Sequence, residues 1–298
     1  MKRAIISDRT VNGIFYITIA FFALACVVPF LLILSVSLSN EHAVSLRGFS
    51  LIPMGLTLYT YTYLFINKGI VILEAYEITF AVLILGTLFS VFVTTCYSYA
   101  ASFKKFRFAN ALSFIAWFTM IFNGGLLPWY ILTTKYYHLK NNLFALFVPY
   151  AMNVFYMFVM RNFFKSISSE YVESAKIDGA GNLRIFATIV LPIAKVGLIT
   201  ITLFYALGYW NDFYLAFMLI SKQRLYPMQM LLYAMESNIM YLANSNTGLA
   251  QHGASTMVIP LMTTRMAVAC IAIGPIIIFY PFAQRYFVKG LTVGAIKG

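Results

Sequence analysis

From Ile14 to Leu38 the chain carries no charged side chain, a run longer than the roughly 20 residues an α-helix needs to cross the hydrocarbon core of a bilayer. Comparable apolar stretches recur at 78–102, 111–134, 143–160, 196–220 and 266–284. Lipid offers backbone N–H and C=O groups no partners, so a chain built this way must satisfy them internally, which helices do. Composition agrees: 61% of residues are hydrophobic and 10% charged, against about 25% charged in a soluble domain. The expected fold is an all-α integral membrane protein, one domain of six transmembrane helices over residues 1–298.

Several function classes fall away early. Cys26, Cys96 and Cys270 lie inside apolar runs, which suits packing and not a disulfide framework or a zinc site. His42, His138 and His252 fall on segments expected outside, far apart in sequence and without partners at metal-ligand spacing. No Gly-x-x-x-x-Gly-Lys-Ser/Thr phosphate loop occurs, and no nucleophile has a base nearby, so the chain is read as no enzyme and as holding no cofactor. A net charge of +12 would suggest nucleic acid in a soluble protein, but here the basic residues flank apolar spans as topology signals. The first apolar run is too long for a cleaved signal peptide, whose apolar part has about 7–15 residues, and it lacks a small-residue cleavage site.

Counting Lys and Arg orients the chain. The N-terminus, the 103–110 loop, the 161–195 loop and the tail hold 14 of the 21 basic residues, which places them and both termini in the cytoplasm. Residues 39–77, turn-rich at Pro53 and Gly55 and followed by Tyr59, Tyr61 and Tyr63, are expected outside. Asn123-Gly124-Gly125 and Pro128 weaken the third span, which suits an interior position. Residues 225–242 tempt a seventh crossing, but Pro227, Gln229, Glu236 and Asn238 interrupt them, and a seventh crossing would send the basic tail outside. An interfacial or re-entrant helix fits better.

The long charged break at 170–192 organises the rest. Ser169 is suited to cap a short helix with Glu170 and Glu173 near its start, where the helix dipole favours acids. Gly179 and Gly181 break it, Asn182 can cap a second helix, and Pro192 precedes the next span. Ser174 and Ala175 are small enough for close approach of another protein. Glu173-Ser174-Ala175, three residues, Gly179, nine residues, Ile189, one residue, Leu191-Pro192 resembles the EAA loop of bacterial ABC-importer permeases, with Ser174 in place of the usual Ala. The stretch Ala175 to Gly181, including Asp178, is similar to the carbohydrate branch of that superfamily, the MalG/LplC-type, binding-protein-dependent permeases. Gly124 to Pro128, Tyr209-Trp210-Asn211 and Tyr280-Pro281-Phe282 through Gly298 share that likeness.

The resemblance implies a type I importer fold with a cytoplasmic helix-turn-helix that takes up the motion of ATPase subunits. It implies a second permease, two ATPases that bind the ATP and Mg, an extracytoplasmic solute-binding protein, an oligosaccharide or related glycan as substrate, and the bacterial plasma membrane as location. Glu173, Ser174, Ala175, Asp178, Gly179, Gly181, Leu191 and Pro192 would form the coupling loop. In the fifth span, Tyr205, Tyr209 and Asp212 recur at i, i+4, i+7 beside Trp210 and Asn211. An Asp within lipid costs about 2.5–3.5 kcal/mol on insertion scales, so it needs a partner or a watery cavity. Two readings stay open: these groups stack on and hydrogen-bond a sugar, or they join neighbouring helices, with Asp212 near the outer interface. Asn123, Trp129, Tyr130, Tyr150, Asn153 and Tyr156 are further candidates of the same kind. An ATP-independent secondary transporter or channel, with Asp212 as its coupling site, and a membrane-anchored sensor are the rival functions. The orientation predicts that membrane-impermeant reagents applied to intact cells leave Lys176 and Arg184 unlabelled and reach both after the membrane is opened.

Overall fold

The computed structural model describes residues 8–103, 106–249 and 261–295. Lys2, Arg3, Lys104, Lys105, His252, Lys297 and Gly298 lie outside the described residues. All regular elements described are helical. In order they are α1 (Asp8–Ser37), α2 (Glu41–Arg47), α3 (Tyr59–Ser102), α4 (Ala109–Ile121), α5 (Leu126–Ile131), α6 (Val154–Lys165), α7 (Ser169–Ile177), α8 (Asn182–Ile185), α9 (Leu191–Ile193), α10 (Lys195–Asn211), α11 (Tyr214–Leu219), α12 (Met228–Leu249) and α13 (Leu261–Ala295). Wide π-type turns follow α5 and α8, and short 3-10 turns occupy Leu143–Leu146 and Val148–Tyr150.

Three helical stretches, Asn12–Ser37, Tyr59–Ser102 and Leu261–Ile278, are long and apolar enough to cross a membrane. Three bent pairs bring the number of crossings to as many as six, in line with the count read from hydropathy. The pairs are broken at specific chemistry. α4 and the segment from Leu126 meet at 116°, where Gly125 has φ +86° and its N–H donates to Asn123 Oδ1 at 2.8 Å. That break is uncovered by this chain, contrary to the interior position expected for it.

The fourth stretch is not one helix over 143–160. Pro149 sits among 3-10 turns, and α6 begins only where Asn153 Oδ1 accepts from the N–H groups of Phe155 and Tyr156 at 2.9 and 3.3 Å. α6 also runs past the expected end at 160, on to Lys165, with Arg161 inside it. The Arg161 Nε donates to the Ala101 carbonyl at the end of α3, 3.1 Å away, and satisfies one of the unpaired carbonyls found at any helix C-terminus. The fifth stretch also differs: α10 ends at Asn211, and Asp212 is extended. α3 begins at Tyr59, well ahead of the expected Ile78, because the turn residues stop at Gly55 and no proline follows within the helix. At 1.5 Å per residue its 44 residues reach about 66 Å, more than twice a hydrocarbon core of about 30 Å. α12 forms after Pro227 but is not among the stretches apolar enough to cross.

The chain divides into two compact units, Met1–Gly69 with Ala234–Pro275, and Ile70–Tyr233 with Ile276–Gly298. In the first, most of α1 presents bare apolar side chains from Ile14 to Leu34, and packing starts at Ser35 to Ser37. Glu41 ties this unit together: its carboxylate oxygens accept from the N–H groups of Met262 and Thr263 at 2.9 and 2.8 Å and from the Thr263 hydroxyl at 2.7 Å. A carboxylate at a helix N-terminus is favoured by the dipole and by the free N–H groups there. Thr60 adds a hydrogen bond to Thr263 at 3.0 Å, so α2, α3 and α13 share one polar knot.

In the second unit a stripe of small residues on α3, Gly86, Ser90, Thr94 and Ser98, recurs every four residues and so lies on one helical face. All but Gly86 use their hydroxyls: Ser90 bonds Tyr209 Oη at 2.7 Å, Thr94 bonds Tyr205 Oη at 2.6 Å, and Ser98 donates to the Met157 carbonyl at 2.9 Å. Small residues let membrane helices approach closely and hydrogen-bond across the gap. Gly197 on α10 makes a similar approach, since a Cβ there would lie 2.5 Å from a ring carbon of Phe163. Gly197→Leu is expected to cost about 1–3 kcal/mol by overpacking, read as a lowered unfolding temperature in detergent. Gly208→Ala, whose Cβ meets nothing within 4 Å, should not lower it.

Candidate functional site

The 161–195 loop is built as two helices around one turn. Ser168, one residue ahead of the expected Ser169, caps α7 by accepting the Glu170 N–H at 3.3 Å. Gly179 has φ +78°, a left-handed conformation that favours glycine. It ends α7 with two linked bonds, Gly179 N–H to the Lys176 carbonyl at 3.0 Å and Ala180 N–H to the Ala175 carbonyl at 2.9 Å, the Schellman closure of a helix C-terminus. Gly181, at an ordinary negative φ, occupies the cap of α8, and Asn182 is the first residue inside it. Pro192 has no N–H and its ring would crowd the carbonyl four residues back; the chain widens into a π turn at Phe186–Val190 just before it. The segment Asn182–Ile193 then meets α10 at 81°.

Glu173, Ser174, Asp178, Gly179 and Gly181 are exposed on this turn. Ala175 is not. It is 8% exposed and lies in one cluster with Met160, Phe164, Ile185, Val190, Ala194 and Ile201. The reading of Ala175 as a partner-facing residue changes accordingly: its small side chain seats α7 on the chain's own helices. Leu191 is half-buried against the same cluster and Pro192 is exposed. Beside α7 a cavity of about 300 Å³ is walled by Tyr99, Phe103, Phe164, Glu173 and Lys176. The Lys176 ammonium stands 4.9 Å above the Phe103 ring, a favourable cation–π geometry.

The fifth-stretch residues divide differently from the sequence spacing. Tyr205 and Tyr209 share a face of α10, each about 5% exposed, and both hydroxyls are engaged. Beyond their bonds to Thr94 and Ser90, Tyr205 Oη accepts the Asn153 N–H at 2.8 Å and Tyr209 Oη donates to the Phe147 carbonyl at 3.1 Å. They therefore satisfy backbone groups freed by the break at 147–153. Trp210 is buried edge-on to Phe80, ring centroids 5.7 Å apart, and Asn211 points outward, donating to the Leu207 carbonyl of its own helix. Asp212 leaves the helical face altogether. Its Oδ2 accepts the Leu215 N–H in the first turn of α11 at 3.2 Å, so the carboxylate joins the backbone at that helix start and does not extend the tyrosine face.

The same side of α10 borders a second cavity of about 240 Å³, lined by Tyr150, Asn153, Tyr156, Phe204 and Gly208 together with Tyr205 and Tyr209. Tyr156 and Phe204 stack there with centroids 5.3 Å apart. Trp129 and Tyr130 pack on the core around Phe147 and Leu215, and Asn123 stands at the exposed α4–α5 break, neither bordering this cavity. What sequence reasoning missed is the α3 stripe; its signal was four small residues at strict four-residue spacing.

No protein-family model matches the chain. It is 34% identical over 291 residues to the polygalacturonan/rhamnogalacturonan transport system permease protein YtcP of Bacillus subtilis, covering 98% of this chain and 99% of that one. This chain belongs to the carbohydrate ABC transporter permeases. The permease is also 34% identical over 272 residues to LplC of Bacillus subtilis, covering 91% of this chain and 90% of the other. Its fold matches a chain of a bacterial ABC transporter involved in the import of the acidic polysaccharide alginate. The TM-score is 0.80 at 29% identity, over 96% of the permease and 100% of that chain. Among the described residues no cluster of His, Cys, Asp or Glu is arranged to hold a metal ion.

The bonding around Tyr205 yields a direct expectation for the permease. Tyr205→Phe orphans the Asn153 N–H, and an unsatisfied buried donor costs about 1–3 kcal/mol. Detergent-solubilised protein should unfold at lower temperature, and Thr94→Val should reproduce part of the loss.

Proposed function

We propose that this chain is one of two permease subunits of an ATP-driven, binding-protein-dependent importer of oligosaccharides or related glycans in a bacterial plasma membrane, with both termini in the cytoplasm. Two cytoplasmic ATPase subunits hold the ATP and Mg and receive the α7–α8 turn. An external solute-binding protein delivers sugar to the outer segments around 39–77 and 221–265. The second permease is a different chain, and it covers apolar surface that this one leaves bare. The uncovered length of α1 and the uncovered α4–α5 break support such a partner. The relatives whose names give a substrate include permeases for polygalacturonan/rhamnogalacturonan, arabinooligosaccharides and maltodextrin and a transporter involved in alginate import, which supports an oligosaccharide or glycan fragment as cargo.

One observation carries the mechanical part: α7 offers Glu173 and Ser174 outward while Ala175 roots the same helix in the cluster that includes Ile201 of α10. A push on the exposed face of α7 is therefore passed through packed side chains to α10. Interiors packed to near-crystalline density transmit such displacement with little loss. Glu173 forms an ion pair with a basic residue of the ATPase, Ser174 lies against it, and Gly179 holds the turn at the angle that presents both. As α10 moves, its tyrosines carry the segment at 147–153 with them, opening the path to one side or the other.

Glu173→Lys reverses the charge at that contact, and Gly179→Val forces a β-branched residue into a left-handed conformation. Each variant, reconstituted in vesicles with its partner subunits, is expected to insert normally and to move at least tenfold less sugar per ATP hydrolysed. Wild-type stoichiometry in both variants would refute coupling through this turn.

A further inference from the structure

The cavity beside α10 differs from its surroundings in what its walls lack. Its lining combines aromatic faces from Tyr156 and Phe204, the Tyr150 phenol, the Asn153 side chain and the bare backbone of Gly208, and no Lys, Arg or His is among the residues that line it. Gly208 is exposed, and a Cβ built there meets nothing within 4 Å. At about 240 Å³ the space falls below the roughly 300–1,000 Å³ of sites for drug-sized ligands, a scale that suits one sugar ring.

The polar groups present are hydroxyls and an amide. Those of Tyr205 and Tyr209 are already committed to Thr94, Ser90 and the backbone at 147–153, and Asn153 Oδ1 is taken by the N–H groups of Phe155 and Tyr156, which leaves the Tyr150 hydroxyl and the Asn153 side-chain NH2 for a guest. The charge standing closest along the chain is negative: Asp212, three residues beyond Tyr209, lies within electrostatic range of both Tyr150 and Tyr209. A carboxylate guest would shed its water with no cation to receive it and with another carboxylate nearby, both of which oppose binding. A neutral ring loses nothing comparable and gains contact with the aromatic walls.

We infer that this cavity is a subsite for a single uncharged sugar ring and that it discriminates against uronic acid units. The inference rests on the oligosaccharide-import reading, and it departs from the acidic cargo named for the solved relative. Acidic units, if carried, meet their counter-charges on other subunits, and this chain contributes the neutral wall.

The test uses the complete complex in vesicles with Gly208→Cys in this chain. Alkylation at position 208 by a small maleimide is read by mass spectrometry in the presence of digalacturonate or of its dimethyl ester, which keeps the shape and removes the charge. The ester is expected to slow alkylation at least fivefold at a concentration where the free acid slows it less than twofold. Equal or better protection by the acid overturns the inference, as does protection by neither. ATP-dependent uptake is followed in parallel with the wild-type complex. Uptake that runs equally well without ATP strikes the import reading instead, while the protection result still decides the chemistry of the cavity.

Discussion

Hydrogen bonding of broken backbone inside an apolar protein is the constraint on which the second unit depends. In lipid, each unsatisfied N–H or C=O costs several kcal/mol, yet the chain interrupts its helix between Phe147 and Asn153. Two tyrosines make that affordable. Tyr205 and Tyr209 reach from α10 to the Asn153 N–H and the Phe147 carbonyl, and each is held in turn by a hydroxyl from the α3 stripe. Remove the stripe's small residues and the tyrosines lose both their room and their second partner: a Cβ at Gly86 would come within 3.0 Å of the Tyr209 ring. Close helix approach and backbone satisfaction are thus one arrangement seen from two sides.

The same helix runs from the 161–195 loop to the cavity beside Tyr150. At its start α10 shares a cluster with Ala175 of the loop, and at its end it walls the cavity next to Tyr150 and Gly208. Along its length α10 packs closely on α6, at Gly197 against Phe163. Asp212 marks where that rod stops, because its carboxylate is spent on starting α11. The bond to the Leu215 N–H gives this acid a structural task.

Much of the 161–195 loop was legible from residue order. The acids near the start of α7, the left-handed glycine at 179 and the proline ahead of α10 are local signals, and local signals act through dihedral angles and nearby bonds. Boundaries shifted by one residue at Ser168 and Gly181, where neighbouring residues can each serve as a cap. The orientation of Ala175 was not legible, since smallness suits an inward and an outward contact equally. The face formed by Tyr205, Tyr209 and Asp212 failed for a different reason: periodicity assumes the helix continues, and it ends at Asn211.

By itself, the amino-acid order determined that this chain is a helical membrane protein with as many as six crossings and a charged two-helix turn, because burial length, charge and turn chemistry are properties of contiguous residues. Its likeness to carbohydrate permeases was readable in the same short stretches. Only the tertiary structure decided which polar side chains were spent inside the chain and which faced a cavity. That choice depends on distant hydrogen-bond partners, 222 residues apart in the case of Glu41 and Thr263, and no local pattern encodes whether a hydroxyl meets a backbone or a guest.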